Sequence, residues 1–257
     1  MSIHPAAVID PTAELDSSVT VGPYAVIEAG VRIGADTRVE PHAVISGPTT
    51  IGERNFIGSF AVVGGAPQDL SYGGEPTELI IGSDNRIREF ASIHRGTVGG
   101  NMKTMIGDHN LLMAYTHVAH DCQIGDHVIM ANAASLGGHV TIGDWAILGG
   151  FSIVHQFCCV GAHCVTGMGS VIAKDVPPYI TISGHPAKPH GINKDGLKRR
   201  GFSADEIREI VNAYKILYMS GLSFEEARKR LGEISEQQPA IELLSDFIEN
   251  CTRSIVR

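Results

Sequence analysis

The chain of 257 residues can hold one large and one small domain, and it is 43% hydrophobic but only 6% aromatic, with 30 glycines. A net charge of −8 argues against a protein that binds nucleic acid through bulk positive charge. No apolar run reaches the ~18 residues of a membrane span, no export signal is evident, and the odd number of cysteines, five, fits a reducing compartment, so a cytoplasmic protein is expected.

An aliphatic residue recurs at every sixth position through most of the chain. One run extends from Ile3 to Val63, and a second, shifted by one residue, extends from Ile106 to Ile172 with Thr166 as its one polar member. A period of six matches neither a helix nor an ordinary strand and is typical of a parallel β-helix. Each hexad supplies a short strand and a turn, and three hexads close a triangular coil. Residues 18 apart should therefore stack, with the aliphatic side chains inside.

The position two residues before each aliphatic residue is small. Cys122, Cys158 and Cys164 occupy it, and they are predicted to be buried fillers rather than catalytic thiols. Cys159 lies one place off this register and Cys251 is near the C-terminus, so neither has a partner in the pattern.

Two segments interrupt the hexads, GGAPQDLSYGGEPTE at 64–78 and HRGTVGGNMKTM at 94–105. Insertions into solenoid coils usually emerge on one face, which is often the binding face. We therefore predict a β-helix over residues 1–190 whose two inserted loops border a functional site.

The hexads end near residue 178, and a helical domain is predicted over residues 191–257. Such helices would cover the last coil, whose strand edges would otherwise stay unpaired. Two capping-box signatures and one proline mark three helix starts: Ser203-x-x-Glu206, with a run to about Met219, Ser223-x-x-Glu226, and Pro239.

Four histidines, at 117, 120, 139 and 155, lie within about two coils, or ~10 Å along the axis, because stacked coils are ~4.8 Å apart. Three interpretations are open. The histidines are solvated, or they bind zinc as in some trimeric β-helix carbonic anhydrases, or one is a general base. No zinc-ligand spacing is evident, so no metal is expected. In the segment AHDC, Asp121 follows His120 and either supports that base or only closes the turn.

Several motifs are far more specific than the hexads: HVAHDCQIG, GGHVTIGDWAILGG, VHQFCCVGAH, KDVPPYI, PQDLSYGGEPT, IHRGTV and GLKRRGF. With them the whole chain resembles the UDP-N-acetylglucosamine O-acyltransferases of lipid A biosynthesis. The resemblance implies a mostly β fold, a left-handed parallel β-helix with a C-terminal α-helical domain, and a homotrimer with active sites between subunits. It implies transfer of a 3-hydroxyacyl group from the phosphopantetheine arm of acyl carrier protein to the 3-hydroxyl of UDP-N-acetylglucosamine, with no further cofactor.

The same resemblance assigns roles to residues. His120 matches the general base, with Asp121 beside it, and Gly138 matches the position whose N–H faces the developing oxyanion. Residues 198–200 form either a solvated basic turn or a contact for acidic acyl carrier protein. The positions that match contacts to the sugar, the acyl-pantetheine or the nucleotide are Gln68, Asp69, His117, His139, His155, Gln156, Asn193, Asp195 and Arg199.

Three positions depart from other family members. Ser71 stands where others have lysine, and Asp195 where some have glutamate. Met168 stands where some have glycine, and members with methionine there prefer shorter acyl chains. Met168 follows His120 by about 2.7 coils, or ~13 Å, which about ten carbons fill. Met168 is therefore predicted to close the acyl channel, the alternative being that it packs between coils.

Other hexapeptide proteins fit less well. The N-acyltransferase of the same pathway has a further N-terminal domain, for which hexads starting at Ile3 leave no room. Sugar-1-phosphate acetyltransferases usually have a nucleotidyltransferase domain with a glycine-rich loop, and none is evident. An ice-binding solenoid should show threonine ladders and no inserted loops.

Overall fold

The computed structural model of the chain describes residues 2–251 and 253–257, in which β-strands wind into a triangular parallel β-helix followed by α-helices. Three sheets form the faces of the prism. Sheet A contains β1 (Ser2–Ile3), β4 (Thr20–Val21), β7 (Arg38–Val39), β10 (Phe56–Ile57), β13 (Arg86–Ile87), β16 (Leu111–Leu112), β19 (Ile129–Met130), β22 (Ile147–Leu148), β25 (Val165–Thr166), β27 (Ile180–Gly184) and β28 (Ala187–Ile192).

The other two faces are built in the same way. Sheet B contains β2 (Val8–Ile9), β5 (Val26–Ile27), β8 (Val44–Ile45), β11 (Val62–Gly65), β14 (Ser92–His94), β17 (His117–Val118), β20 (Ser135–Leu136), β23 (Ile153–Val154) and β26 (Val171–Ile172). Sheet C contains β3 (Glu14–Leu15), β6 (Val31–Ile33), β9 (Thr49–Ile51), β12 (Glu78–Ile81), β15 (Lys103–Ile106), β18 (Gln123–Ile124), β21 (Thr141–Ile142) and β24 (Cys159–Val160).

Three corners connect the faces, and their positions define the geometry of the site. The chain passes in turn through the A–B corner, as at 113–116 and 149–152, the B–C corner, as at 119–122 and 137–140, and the C–A corner, as at 143–146. Neighbouring strands of regular coils pair in parallel with partners 18 residues apart, for example His117 with Ser135. Many corner residues have a left-handed backbone, with φ of 60° at Asp121 and 61° at His139 and Trp145. The predicted coil period is confirmed.

The aliphatic position fills the prism as predicted, and the exceptions have physical causes. Ile3 is 39% exposed because the first coil has a neighbour on one side only. Thr166, the polar member, is buried with its hydroxyl 2.7 Å from that of Ser152, and it accepts a hydrogen bond from the Gly149 N–H at 2.9 Å. A buried hydroxyl is tolerated when both its donor and acceptor functions find partners.

The prediction for the three cysteines of the small position is confirmed. Cys122, Cys158 and Cys164 are fully buried, and burial raises the pKa of the Cys122 thiol to about 12. Thiols held in the neutral form are poor nucleophiles, which fits a packing role. The two cysteines outside the pattern lie against one carboxylate: Asp175 accepts from the Cys159 N–H at 2.8 Å and from the Cys251 thiol at 3.4 Å.

Both inserted loops leave the prism at the B–C corner. The first connects β11 to β12 and spans 66–77, and the second connects β14 to β15 and spans 95–102. Each is shorter than the interruption in the hexads because the flanking strands extend into it, and β12 and β15 pair with each other over four residues. The two loops are therefore neighbours on one edge of the molecule, in agreement with their predicted emergence on one face.

The strands continue beyond the predicted end of the hexads. Strand β27 pairs in parallel with β25, and β28 folds back antiparallel to β27, forming a hairpin that the repeat did not predict. The helices are α1 (Lys194–Arg199), α2 (Ala204–Tyr218), α3 (Phe224–Ser235) and α4 (Glu242–Glu249), with a 3₁₀ turn at Pro239–Ile241. Both predicted capping boxes form, whereas α1 was not predicted. A domain boundary between residues 190 and 191 stays a prediction.

The helices build a second apolar core that includes Leu197, Ile210 and Leu231. Tyr214 and Tyr218 of α2 also pack against the core of the prism. The helices therefore cover the last coils, as predicted. Among the helices of the described residues, none combines the length and the apolar content that a membrane crossing requires.

Candidate active site

Two histidines on successive coils meet at the B–C corner. The imidazoles of His120 and His139 pack edge to face, with ring centroids 5.1 Å apart and planes at 89°. Phe157, one coil further, stacks on His139 at 4.4 Å. The 18-residue period brings these rings together. Residue 138 occupies the place of His120 in the next coil, His139 directly follows it, and Phe157 occupies the place of His139 one coil further. Both histidines remain partly accessible, so a substrate can reach them.

Asp121 contacts His120 and also forms the turn, and its support of a base stays a prediction. Its backbone is left-handed at the corner, and its Oδ2 lies 2.9 Å from His120 Nδ1 and 3.8 Å from His139 Nε2. A carboxylate only accepts hydrogen bonds, so Nδ1 of a neutral His120 carries the proton. The lone pair of the ring is then on Nε2, the atom that a general base needs.

The Asp121 carboxylate is buried but remains ionised. Burial alone would raise its pKa, but hydrogen bonds from Thr97 and from His120 outweigh this effect, and the pKa lies below its ordinary value. A charged Asp121 favours a positively charged imidazole at His120 when that ring accepts a proton.

Gly138 lies directly against the reactive edge of His120. A Cβ at residue 138 would be 2.6 Å from His120 Cε1 and 2.7 Å from Nε2, so only glycine fits without a shift. Within residues 2–251 and 253–257, the Gly138 N–H donates to no protein acceptor. The corner thus combines an unprotonated ring nitrogen with a nearby free backbone donor, which is the arrangement required to attack a carbonyl and stabilise its oxyanion.

The first loop brings Asp69 towards the same corner. Hydrogen bonds from the backbone N–H and the hydroxyl of Ser71, at 2.9 and 2.8 Å, lower the pKa of Asp69, and the proximity of His120 and His139 lowers it further. Ser71, the departure from other family members, therefore fixes this carboxylate. The neighbouring Gln68 is exposed.

His117 faces outward from sheet B beside the corner. Its Nδ1 is 2.8 Å from the Ser92 hydroxyl, and it packs edge to face on His94 at 5.0 Å. Burial lowers the pKa of both rings, that of His94 to about 4, so both stay neutral at physiological pH. The sequence interpretation missed His94, although the motif IHRGTV contains it.

Arg95, also missed, joins the two loops. Its guanidinium donates to the Gly64 carbonyl and to the Tyr72 hydroxyl, which in turn donates to the Glu75 carbonyl at 2.7 Å. The first loop is therefore tied to the start of the second, which limits the positions that Asp69 can adopt.

Comparisons with known proteins agree with this geometry. The chain is 52% identical to the acyl-[acyl-carrier-protein]–UDP-N-acetylglucosamine O-acyltransferase of Halorhodospira halophila over 255 residues, with 99% of each chain covered. It is 53% identical to the enzyme of that name from Thiobacillus denitrificans, covering 100% of this chain and 99% of the relative.

Solved structures and family models give the same result. LpxA from Acinetobacter baumannii superposes with a TM-score of 0.97 at 48% identity, covering 99% of each chain. UDP-N-acetylglucosamine O-acyltransferase from Moraxella catarrhalis superposes with a TM-score of 0.97 at 45% identity, covering 100% of each chain. A family model described as UDP-N-acetylglucosamine O-acyltransferase, domain 2, matches residues 175–256, and a bacterial transferase hexapeptide model matches 30–65 and 103–138.

The chain belongs to the UDP-N-acetylglucosamine O-acyltransferase family. The predicted left-handed β-helix with a C-terminal helical region is confirmed for this family member. The roles of individual residues stay predictions, and the structure adds where each one lies.

Two of the family's predicted contact residues, His155 and Gln156, lie at the B–C corner one coil beyond His139. Both are exposed, and His155 Nδ1 donates to the Gln156 carbonyl at 3.0 Å. Gln156 stacks in register with Gly138 and His120. These side chains therefore extend the corner in the direction of the C-terminal coils.

Met168 lies at the A–B corner, on the far side of sheet B from His120. Its side chain is 86% exposed, so the alternative that it packs between coils is wrong. Within one chain it closes no channel. Met168 can limit an acyl chain only if another copy of the protein covers the space beside it.

Asn193, Asp195 and Arg199 lie near the C–A corner, away from His120. The Asn193 carboxamide caps α1 by accepting from Gly196 N–H at 3.0 Å, and it donates to the His163 carbonyl at 3.0 Å. Asp195 and Arg199 are exposed on α1. A single chain therefore does not bring these predicted nucleotide contacts to the base.

Arg200 is held against the prism, which contradicts the interpretation of residues 198–200 as only a solvated turn. Its guanidinium lies 5.2 Å from the Trp145 ring centroid and donates to the Trp145 carbonyl at 3.0 Å. A cavity of about 430 Å³ opens beside it on sheet A, with Arg199 and His127 in its wall. Two guanidiniums at one cavity suit a phosphate-bearing ligand.

Among the residues that the structure describes, one group of possible metal ligands exists that the sequence spacing did not reveal. The ligand atoms of His120, Asp121 and His139 lie within 4.8 Å of one another. The Asp121 oxygens, however, already accept hydrogen bonds from Thr97, Asn101 and His120. These contacts account for the cluster without an ion, and the expectation of no metal stays a prediction.

Proposed function

We propose that the protein transfers a 3-hydroxyacyl group from acyl carrier protein to the 3-hydroxyl of UDP-N-acetylglucosamine, in lipid A biosynthesis. The observation that carries the proposal is the close approach of Gly138, whose backbone N–H is free among the described residues, to the Nε2 edge of His120 at a corner bordered by both loops. Relatives of about half identity along the whole chain have this activity in their names. All five cysteines are free thiols, which fits action in the reducing cytoplasm.

The proposed chemistry is a direct acyl transfer. His120 Nε2 takes the proton of the sugar 3-hydroxyl as its oxygen attacks the thioester carbonyl, and the Gly138 N–H donates to the oxyanion. Asp121 stabilises the imidazolium that forms. The tetrahedral intermediate then expels the pantetheine thiolate, which takes the proton back from His120. The reaction transfers no electrons and needs no further cofactor.

We further propose that the substrate lies along the B–C corner. Asp69 and Gln68 would hold the sugar from the first loop. The carboxylate can accept hydrogen bonds from the sugar hydroxyls, and the amide can both accept hydrogen bonds from them and donate to them. The neutral His117 and the partly exposed His139 would contact the substrate or the pantetheine arm. His155 and Gln156 would continue these contacts along the axis.

The working unit is proposed to be a C3 homotrimer. Tyr24, His42, Phe60, Phe90 and Tyr115 stack along the A–B corner with centroids 4.8 to 5.2 Å apart. Four of these five rings are exposed aromatics in a chain that is only 6% aromatic, and such a contiguous apolar stripe indicates an interface between copies. We further propose that, across this interface, Asn193 and Arg199 of one protomer belong to the same site as His120 of its neighbour.

The activity is tested directly with purified protein, UDP-N-acetylglucosamine and 3-hydroxyacyl carrier proteins of several lengths. The expected product is the 3-O-acyl sugar nucleotide, detected by mass spectrometry. Transfer only to a 3-amino analogue of the sugar would change the assigned acceptor, and no transfer to either would contradict the proposal. Zinc analysis of the same sample tests the carbonic anhydrase hypothesis.

Mixed trimers test whether one site draws on two chains. We expect His120→Ala and Asn193→Ala to be inactive separately, and refolding them together at equal amounts to restore about a quarter of the wild-type activity. The reason is that one interface in four then joins an intact His120 to an intact Asn193.

The matched control mixes His120→Ala with Asp121→Asn. Both changes damage the same half of the site, so no mixed interface is intact and no restoration is expected. Restoration in the control, or an active monomer by light scattering, would contradict the shared site.

A further inference from the structure

The second loop surrounds the Asp121 carboxylate. The Thr97 N–H donates to both carboxylate oxygens at 3.1 Å, the Thr97 hydroxyl donates to Oδ2 at 2.6 Å, and the Asn101 N–H donates to Oδ1 at 3.0 Å. Thr97 and Asp121 are both buried. Neither loop residue was singled out in the sequence, because both lie more than 15 residues before Asp121 in a segment without a repeat.

The loop has little freedom to move away from this carboxylate. The Thr97 carbonyl accepts from the Gly100 and Met102 N–H groups at 3.2 and 3.0 Å, which closes residues 97–102 into a compact turn. A Cβ at Gly100 would lie 2.4 Å from the Asp121 carboxylate, so the backbone is in direct contact with it. The contact is a packed part of the corner.

The Oδ2 atom of Asp121 is shared among three donors, one of which is the Thr97 N–H at 3.1 Å. It accepts from the Thr97 hydroxyl at 2.6 Å and is 2.9 Å from His120 Nδ1. Donors that share one oxygen compete for its negative charge, so the hydrogen bond from the Thr97 hydroxyl weakens the electrostatic attraction between Oδ2 and the His120 ring.

We propose that Thr97 is a positioning residue for acyl transfer. Its hydroxyl orients the Asp121 carboxylate towards His120 and weakens the stabilisation that this carboxylate gives to the His120 imidazolium. The second loop would then act on the reaction through its hydrogen bonds to Asp121, of which that of the Thr97 hydroxyl is the shortest. The inference deepens the proposed function, because it rests on His120 as the base.

Thr97→Val tests the proposal, since valine keeps the shape and the backbone N–H but lacks the hydroxyl. Oδ2 then loses its shortest donor, the carboxylate favours the imidazolium of His120 more strongly, and protonation blocks the base up to a higher pH. We expect the acidic limb of the kcat/KM profile to move upwards by about half a pH unit, and kcat at neutral pH to fall by up to about threefold, with KM little changed. Thr97→Ser should restore both.

Other titratable groups also face His120, and all of them except Asp121 are expected to contribute equally in the variant and in the wild type. They are Asp121 beside it, His139 on the next coil, His117 and His94 on sheet B, and Asp69 on the first loop. Thr97→Val alters none of them covalently, so the shift reports the contact with Asp121.

Thr104→Val is the matched control. The Thr104 hydroxyl accepts from the Asp121 N–H at 2.8 Å and does not touch the carboxylate, so its loss should lower thermal stability without moving the acidic limb. Equal shifts in both variants, or an unchanged profile in Thr97→Val, would overturn the proposal. If Thr97→Val does not fold, Thr97→Ala is measured in its place. An inactive wild type, or an active His120→Ala, would instead refute the proposed function.

Discussion

Replacing His120 by alanine is expected to lower kcat at least ~10²-fold, since the variant has no group at the position of Nε2 to take the proton of the sugar hydroxyl. The ring is only partly buried and contributes no aliphatic core packing, so the proposed trimer should remain intact. The change is measured by steady-state kinetics with a saturating donor, together with light scattering on the same sample.

His4→Ala is the matched control, because His4 is an exposed histidine on the first coil, about five coils from His120. Wild-type kcat is expected for it. Turnover near the wild-type value in His120→Ala would show that another group is the base. A loss that comes with dissociation of the trimer in His120→Ala would assign the residue to assembly.

Replacing Met168 by glycine is expected to shift the preferred donor from about ten carbons to about fourteen. Met168 is exposed at the A–B corner, so its side chain is available to a neighbouring copy and can limit a channel that runs between chains. Burying four more methylenes at ~0.8 kcal/mol each is worth ~3 kcal/mol, or about 10²-fold in the ratio of kcat/KM for the two donors. The rate with the preferred donor should stay similar.

Direct competition between ten- and fourteen-carbon donors measures this ratio. Met219→Gly is the control, since Met219 is also exposed but ends α2, and its donor profile should match the wild type. A wild type that prefers fourteen carbons, or an unchanged profile in Met168→Gly, would refute the prediction that Met168 limits the length of the acyl chain.

The repeat could be predicted from the sequence because its determinants are local. Whether a side chain points inward follows from its place in the hexad, and which residues stack follows from the 18-residue coil. Cys122 as a filler and the approach of Gly138 to His120 both follow from this count. The two capping boxes of α2 and α3 are equally local, since a hydroxyl and a carboxylate three residues apart satisfy the free N–H groups of one turn.

Contacts outside the period could not be predicted. The hydroxyl of Thr97 meets Asp121 across 24 residues that include a loop without hexads, and His94 meets His117 across the same loop. The hairpin of β27 and β28 and the short helix α1 also follow no repeat.

The sequence by itself determined the coil, the core and, through specific motifs, the family. Only the tertiary structure decided that Asp121 both turns the chain and holds His120, that Met168 and Asn193 lie at corners remote from the base, and that the second loop closes on the Asp121 carboxylate. The physical reason is that a periodic pattern specifies each residue relative to its own coil. The path of an inserted loop, by contrast, depends on which buried donors and acceptors it finds when the coils have already stacked.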